Sequence, residues 1–363
     1  MRVFFATPDP NRPGAVADAL LARGYDWQVL AYARNEESRQ VLGEAAADVV
    51  VVDLALPGAE ALLRHLLYTA PQTARVLLCE EPGERVLPAL LGLCHGLVAA
   101  SEPVEVVAET LLAYADLARS LDRPALRAKV AALTVLPGVP RLYLAISRAL
   151  EDPNVELGAI AAKIGEDPVL AGRVLQIANS ALYGAGRQIA SLPVAVTRLG
   201  LKAIRQLVLA AELYAPAAGL PAARAEEARR RSLLAAWLAP RLIGPGSDPD
   251  IAGTAALLAG IGELLPELDD DGVPPLPSAP PIRDEAAAYL LGLWQLPGIL
   301  QQAVAWQRSP RFAGPGFGIV GAVHVATALA FDRRVDEGWL ERCGMAAHLP
   351  DWRELAARME RAA

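Results

Sequence analysis

The sequence predicts a doubly wound α/β domain followed by an all-helical domain. In the first 120 residues, short β-rich runs alternate with helical patterns, an order typical of a parallel sheet covered by helices on both faces. Residues 49–52 are four consecutive valines without polar alternation, as expected of a central strand buried on both faces. After residues 121–124 the strand-like runs disappear, and helical patterns interrupted by Pro and Gly continue to the end.

The elements of the first domain follow from these patterns in order. Five runs are predicted as strands: residues 2–6, 27–33, 48–53, 75–79 and 96–99. Five segments with helical spacing are predicted as helices: residues 14–23, 36–42, 59–69, 84–93 and 104–119. In a doubly wound sheet the functional site lies beyond the carboxyl ends of the strands, so we expect a site there.

A domain boundary is predicted where the composition changes. We assign residues 1–122 to the α/β domain, 123–132 to a helical linker and 133–363 to the helical domain. Prolines in the second domain mark expected helix starts, because the first turn of a helix tolerates proline. They are Pro137, Pro140, Pro153, Pro168 and Pro193.

Composition excludes several classes of protein. With 53% hydrophobic and 21% charged residues, the chain of 363 residues is expected to be globular rather than disordered. The net charge of −7 argues against a nucleic-acid-binding surface, which needs clustered Lys and Arg. The one dense basic run, residues 224–231, contains Glu226 and Glu227 and is predicted as a solvated helix face.

The sequence also favours a cytoplasmic protein. The three cysteines form no CxxC pair, which fits a reducing compartment. No signal peptide is apparent after Met1, and the longest apolar run, residues 86–100, contains Pro88 and is too short to span a bilayer. We therefore expect no membrane partner.

One motif in the first domain resembles a known signalling family. Residues 48–58, Asp-Val-Val-Val-Val-Asp-Leu-Ala-Leu-Pro-Gly, are similar to the third strand and following loop of bacterial response-regulator receiver domains. The resemblance covers residues 1–120 and implies a phosphoacceptor aspartate at Asp53. An isolated motif of this kind more often only ends a strand, but the five-fold β/α series favours the receiver interpretation.

The positions that would support phosphorylation depart from the family pattern. Phosphoryl transfer to a carboxylate needs Mg²⁺ held by further carboxylates, because the developing negative charge requires a cation. The resemblance places the family's acidic pair at Thr7 and Pro8, with only Asp9 nearby. A complete magnesium site at Asp53 is therefore not expected.

Two further pocket positions also differ. The Ser/Thr that follows the fourth strand in the family is Cys79 here, a poor hydrogen-bond donor. The family's Lys before Pro is Glu102, whose carboxylate would repel a phosphate. We interpret the domain as a pseudo-receiver, which keeps the fold but not the chemistry.

The second domain contains the strongest motif of the chain. Residues 167–184 resemble the central motif of HDOD domains, output modules that share the fold of HD phosphohydrolases, and the similarity extends over residues 133–335. The motif residues are Asn179, Ser180, Tyr183, Gly184 and Arg205. We interpret Asn179 as an amide that satisfies backbone groups, Arg205 as a structural ion-pair partner and His324 as a hydrogen-bonded core histidine.

The metal-binding signature of HD enzymes is missing from this domain. Residues 257–262, Leu-Leu-Ala-Gly-Ile-Gly, resemble the family's Leu-Leu-His-Asp-Ile-Gly with Ala259 and Gly260 in place of His and Asp. The resemblance places the other ligand positions at Arg231, Arg283 and Gln307. None of these side chains suits a catalytic divalent ion, so we expect no metal and no other cofactor.

These observations favour a non-enzymatic signalling adaptor that acts through protein–protein contacts. Its expected partners are signalling proteins such as a histidine kinase, a diguanylate cyclase or another regulator, and a homodimer is left open. The alternative is a true phosphorelay regulator phosphorylated on Asp53. A metal-dependent phosphohydrolase is the least favoured class. Nucleotide binding by the HDOD domain without catalysis is left open, although no Gly-rich phosphate loop supports it.

Overall fold

The computed structural model describes residues 1–32, 47–80, 93–120, 123–131, 133, 146, 149–150, 155–179, 188–213, 221–244, 246–266, 268 and 279–362. The chain divides into two compact units. The first consists of Met1–Val135, Gln176–Gln188 and Gly292–Gln295. The second consists of Leu136–Leu175, Ile189–Leu291 and Leu296–Ala363.

A five-stranded parallel sheet forms the centre of the first unit, which confirms the predicted fold. The strands are β1 (Arg2–Ala6), β2 (Gln28–Tyr32), β3 (Val49–Asp53), β4 (Ala74–Cys79) and β5 (Gly96–Ala99). Their order across the sheet is β2-β1-β3-β4-β5, the arrangement of a flavodoxin-like doubly wound sheet. Every residue of β3 is buried, as its uninterrupted valines predict.

Four described helices accompany this sheet. They are α1 (Arg12–Ala22), α2 (Ala59–Thr69), α3 (Val104–Ser120) and α4 (Pro124–Ala131). The helix predicted at residues 36–42 lies outside the described residues, as does nearly all of the one predicted at 84–93. Pro124 begins α4, in agreement with the tolerance of proline for the first turn of a helix.

A fully buried arginine joins three backbone segments of this unit. Arg75 in β4 donates from Nε to the carbonyl oxygen of Leu93 at 2.7 Å and from Nη2 to that of Ala131 at 2.9 Å. Its backbone N–H donates to Nδ1 of His95 at 2.9 Å. Burial lowers the pKa of Arg75 to about 10, which leaves the guanidinium charged at neutral pH. Carbonyl dipoles therefore solvate this cation in place of water.

The second unit is built from helices, as predicted. Its described helices, or the parts of them within this unit, are α5 (Leu157–Ile164), α6 (Pro168–Ala178), α7 (Leu192–Leu213), α8 (Ala222–Leu242), α9 (Pro249–Ala259), α10 (Ile261–Leu264), α11 (Ile282–Leu293), α12 (Gly298–Ala305), α13 (Gly318–Ala330), α14 (Glu337–Arg342) and α15 (Leu349–Ala362). Helices α8, α9 and α13 pack against one another, and α9 and α13 are buried along most of their length.

Two local features shape these helices. Gly200 has a φ of 72° and bends α7, a conformation that a side chain would oppose. Asp167 accepts hydrogen bonds from the backbone N–H groups of Val169 at 2.7 Å and Leu170 at 3.1 Å, and so caps the start of α6.

The basic run of α8 differs in part from its prediction. Residues 224–231 were expected on a solvated face, but Arg229 is buried and lies 3.6 Å from a carboxylate oxygen of Asp167. Arg230 is exposed and pairs with Glu227 within the same helix. Arg229 is buried because a helix that packs on two neighbouring helices turns one residue in three or four of any run toward them.

Among the described residues, no helix is both long enough and apolar enough to cross a membrane.

Candidate functional site

Asp53 lies at the carboxyl end of β3, where the fold predicts a site. Its side chain is 7% exposed. Thr7, which follows β1, donates its hydroxyl to Oδ2 of Asp53 at 3.0 Å, and the backbone N–H of Ala55 donates to Oδ1 at 2.9 Å. Two neutral donors therefore hold the carboxylate at the end of its strand.

The residues after β1 do not supply the acidic pair of a receiver. Pro8 and Asp9 are both exposed. The Asp9 carboxylate accepts a hydrogen bond from the backbone N–H of Asn11 at 2.9 Å, and the Asp9 backbone N–H donates to Oγ1 of Thr7 at 3.2 Å. Asp9 thus stabilises the turn that leads into α1.

Cys79 ends β4 and is buried next to this pocket. Burial, followed by the negative charge of Asp53, raises the pKa of the Cys79 thiol to about 12. The thiol therefore stays protonated at neutral pH and is a weak hydrogen-bond donor. It offers a phosphoryl oxygen much less than the hydroxyl that the receiver pattern has at this position.

Arg12 places a positive charge near the carboxyl ends of the strands, and this role was not predicted from the sequence. Its guanidinium donates from Nη1 to the carbonyl oxygen of Ala100 and from Nη2 to that of Glu102 at 3.2 Å. The arginine therefore ties α1 to the turn after β5, close to the position of the family's lysine. The sequence does show a basic residue at the start of the helix after β1. Where its side chain points, however, is decided by tertiary contacts that the sequence pattern does not reveal.

The magnesium fit can be judged from these contacts. Asp53 and the Thr7 hydroxyl are the oxygen groups that the structure brings together here, while Asp9 is engaged with Asn11. Mg²⁺ requires a near-octahedral set of oxygen ligands, usually with more than one carboxylate when no phosphate is bound. The residues that the structure describes around Asp53 do not fit the magnesium site that the receiver resemblance implies.

The second set of predicted positions lies in the helical unit, where Gly260 separates α9 from α10. A Cβ atom placed on Gly260 would overlap Oγ of Ser232 and lie 2.8 Å from its Cβ. The Ser232 hydroxyl donates a hydrogen bond to the carbonyl oxygen of Ala228 at 2.6 Å, which holds its side chain in this direction. A side chain at Gly260, the position that the resemblance assigns to the HD aspartate, would therefore have to displace Ser232.

The two arginines at former ligand positions have structural partners. Arg231 donates to carboxylate oxygens of Glu227 and of Asp332, the latter at 3.0 Å. Arg283 donates from Nη1 to the carbonyl oxygens of Gly262 at 3.0 Å and Leu265 at 3.2 Å, and so ties α11 to the end of α10.

Gln307 stands at the last former ligand position and leads to a buried charge cluster. Its Nε2 donates to the carbonyl oxygen of Ala259 at 3.2 Å and to Oδ1 of Asp284 at 3.1 Å. Asp284 is 0% exposed, and its Oδ2 lies 3.2 Å from Nε of Arg308. Burial raises the pKa of Asp284 to about 7, against the opposing influence of Arg308 and Arg333.

His324 has the role of a hydrogen-bonded core histidine that its apolar surroundings predict. Its Nε2 accepts the backbone N–H of Asp336 at 2.9 Å, so Nδ1 carries the proton and donates to the carbonyl oxygen of Gln307 at 2.7 Å. Burial lowers the pKa of His324, and the ring is therefore neutral at pH 7.

The metal fit fails at this site as well. The structure brings Ala259, Gly260 and Gln307 together, but none of them supplies an imidazole or carboxylate ligand. Within the described ranges, no group of three or more His, Cys, Asp and Glu side chains is placed to hold a metal ion.

The HDOD motif residues are described only in part. Asn179 follows the end of α6 and is half-buried. Arg205 lies within α7, but its side chain is outside the described part of the structure. Ser180, Tyr183 and Gly184 also lie outside the described residues.

Comparison with protein families identifies one domain. Residues 136–266 match the family described as the HDOD domain, which confirms the HDOD resemblance over this range. A curated protein of Treponema pallidum (strain Nichols), described as an uncharacterized protein, is 36% identical over 84 residues, which are 23% of this chain. The matched segment spans only 15% of the length of that relative.

Two solved structures show weaker similarity. The MmoQ response regulator from Methylococcus capsulatus str. Bath is 23% identical with a TM-score of 0.47, covering 60% of this chain and 97% of that one. A putative phosphohydrolase from Shewanella amazonensis SB2B is 24% identical with a TM-score of 0.32, covering 65% of this chain and 94% of that one.

Proposed function

We propose that this chain, which carries an HDOD domain at residues 136–266, is a non-enzymatic signal-transduction adaptor that acts through binding to other proteins. The observation that carries the proposal is the contact of Gly260 with Ser232. A hydrolytic HD site needs an aspartate at this position, and the space for its side chain is occupied by a neighbouring helix.

The N-terminal unit also supports an adaptor role. It has the strand order and the Asp53 position of a receiver, together with neutral or backbone-directed groups around that aspartate. A domain of this form presents the surface of a receiver without needing phosphate. It is suited to constitutive recognition of a signalling partner, such as a histidine kinase or a diguanylate cyclase.

A phosphorelay regulator is the second candidate, and one observation favours it. Asp53 lies at the carboxyl end of β3 and is 7% exposed, so its carboxylate is not completely shielded from a small phosphodonor. Against it stand Cys79, whose pKa is about 12, and Arg12, which is engaged with backbone carbonyl groups.

The test of the proposed function combines metal analysis with a hydrolysis assay. Purified full-length protein is measured for Zn, Mn, Fe and Ni, and is incubated with bis-p-nitrophenyl phosphate and p-nitrophenyl phosphate in added Mn²⁺. We expect no stoichiometric metal and no turnover above a heat-denatured sample, because Ala259, Gly260 and Gln307 supply no metal ligand of the required kind.

The matched control variant is Arg353→Ala, an exposed change on α15 that leaves the former metal positions intact. About one tightly bound transition metal per chain, with hydrolysis that Arg353→Ala preserves and a chelator removes, would overturn the proposal. The third class of function, a metal-dependent phosphohydrolase, would then replace it.

A further inference from the structure

A positively charged cleft lies beside the former metal positions in the helical unit. It has a volume of about 330 Å³. Its walls are formed by Gln307, Arg308, His324, Thr327, Ala328, Arg333 and Arg334. Among the residues that the structure describes, three arginines line this cleft and no carboxylate does.

The nearby acidic groups do not neutralise these arginines. Arg308 and Arg333 donate to the same carboxylate oxygen of Glu263, at 2.8 and 2.6 Å. The second neighbouring acid, Asp284, lies 3.2 Å from Arg308 and also accepts a hydrogen bond from Gln307. Among the described residues, two carboxylates therefore pair with Arg308 and Arg333, and Arg334 adds a third positive charge. Arg334 is exposed at the rim. The cluster therefore has an excess of positive charge in a chain whose net charge is −7.

The other polar groups of the wall add no charge. His324 is neutral and both of its ring nitrogens are engaged. Gln307 is 2% exposed and its Oε1 is closed to solvent, so this oxygen offers no acceptor to a ligand in the cleft. The charge of the wall therefore comes from its arginines.

Arg333 also lines a second cleft, whose walls carry charges of both signs. Its volume is about 320 Å³, and its walls include Arg224, Arg231, Glu227 and Glu263. Arg333 is thus shared by two clefts. Burial, and after it the like charge of Arg308, lowers the pKa of Arg333, while the Glu263 carboxylate that accepts from both arginines opposes this effect.

We infer that the first cleft binds a phosphate-bearing small molecule, with Arg333 and Arg334 contacting the phosphate. Guanidinium groups recognise phosphate oxygens through paired charge-assisted hydrogen bonds. The cleft has the volume of a nucleotide-sized ligand rather than of a protein segment. The inference goes beyond the adaptor function, which stands if the cleft proves empty.

The experiment is calorimetric titration of full-length protein with inorganic phosphate and, separately, with adenosine and guanosine monophosphate at constant ionic strength. The critical variant is Arg334→Ala, an exposed residue whose loss leaves the buried cluster in place. The matched control is Arg353→Ala, which removes the same charge from α15. Arg334→Lys retains the charge but loses the fork of donors.

We expect Arg334→Ala to raise the Kd of the tighter probe by about tenfold or more, and Arg334→Lys to have an intermediate effect. Arg353→Ala should leave the Kd within about twofold. Tighter binding of a nucleotide than of phosphate assigns the ligand to the nucleotide class, and equal binding assigns it to free phosphate. Absence of heat with every probe, or equal weakening by Arg334→Ala and Arg353→Ala, overturns the inference.

Discussion

The two units of this chain each contain a buried carboxylate near positions that the family resemblances assign to a catalytic centre, but the two carboxylates are held in opposite ways. Asp53 accepts hydrogen bonds from a hydroxyl and a backbone N–H at the carboxyl ends of the parallel strands. Asp284 lies inside a cluster with Arg308 and Gln307, and burial raises its pKa to about 7. The environment of a carboxylate, rather than its presence, decides what it can do.

The same contrast holds for the sites around them. At the carboxyl ends of the strands, the phosphoacceptor position is still an aspartate, and the residues that would assist its phosphorylation are replaced. The site is therefore changed in chemistry but not filled. In the helical unit the former ligands are replaced and the space at Gly260 is filled by Ser232. A lost ligand at the sheet could be restored by one substitution, whereas a side chain at Gly260 also requires a change at Ser232, and this difference can be measured.

The largest expected effect comes from placing any side chain at Gly260. Gly260→Ala should destabilise the helical unit by about 3 kcal/mol or more, because the added Cβ overlaps the Ser232 side chain in a packed interior. Denaturant unfolding of Gly260→Ala, Ser232→Gly and the double variant gives the coupling free energy directly.

In this cycle the double variant should be much more stable than the sum of the single effects predicts, with a coupling of about 2 kcal/mol or more. Additive effects would show that the two residues do not compete for space. The interpretation that Ser232 fills the space next to Gly260 would then be wrong.

A smaller effect is expected from the titration of Asp284. Its folded-state pKa is raised from 3.8 to about 7, so the folded protein holds a proton that the unfolded chain has already lost within this range. The linked stabilisation is fully present below about pH 4 and is lost as the pH rises through 7. Arg308, Arg333 and Glu263 are the charged groups that influence it.

Asp284→Asn should remove this dependence. Between pH 5 and pH 8 the free energy of unfolding of the unaltered protein should fall by about 2 kcal/mol relative to the variant. Unfolding titrations at both pH values measure the difference. Parallel pH profiles for the two proteins would mean that Asp284 is fully ionised in the folded state, and the charge excess beside Arg334 would be smaller.

The smallest expected effect is at Asp53. Incubation with acetyl phosphate and Mg²⁺ should leave the intact mass unchanged, because the pocket lacks the acidic pair and the lysine that stabilise a phosphorylated aspartate. Asp53→Asn should change the free energy of unfolding by only about 1 kcal/mol, since two hydrogen bonds to neutral donors are altered.

A mass gain of one phosphoryl group that disappears in Asp53→Asn would contradict the pseudo-receiver interpretation. The phosphorelay regulator would then replace the adaptor as the function of the first unit. Thr7 would be the residue to examine next, since its hydroxyl is the side-chain donor to Asp53 in this structure.

The local pattern of the sequence was enough to predict the sheet. Each predicted strand overlaps an observed strand to within a residue or so at either end, because a buried parallel strand is a continuous apolar run bounded by turns. The HDOD motif was likewise predictable over residues 136–266, since it is a contiguous pattern.

The contacts that define the sites were not predictable in this way. Gly260 lies at a helix end far in sequence from Ser232, and Arg12 reaches carbonyl oxygens 88 and 90 residues further along the chain. Burial of Arg229 depends on Asp167, far away in the chain. Such pairs follow from how helices pack, and the period of a single element carries no information about them.

The buried Arg75 has a consequence for the order in which the chain is made. One of its guanidinium donors ends on the carbonyl oxygen of Ala131, 56 residues further along and well beyond the last strand. A ribosome that has released all five strands has therefore not yet supplied the group that completes the solvation of this cation. Until α4 has emerged, the guanidinium can bond to the carbonyl oxygens of Leu93, Pro71 and Thr73 but lacks the acceptor on Ala131, so the first unit gains this last contact only when synthesis is well past its final strand.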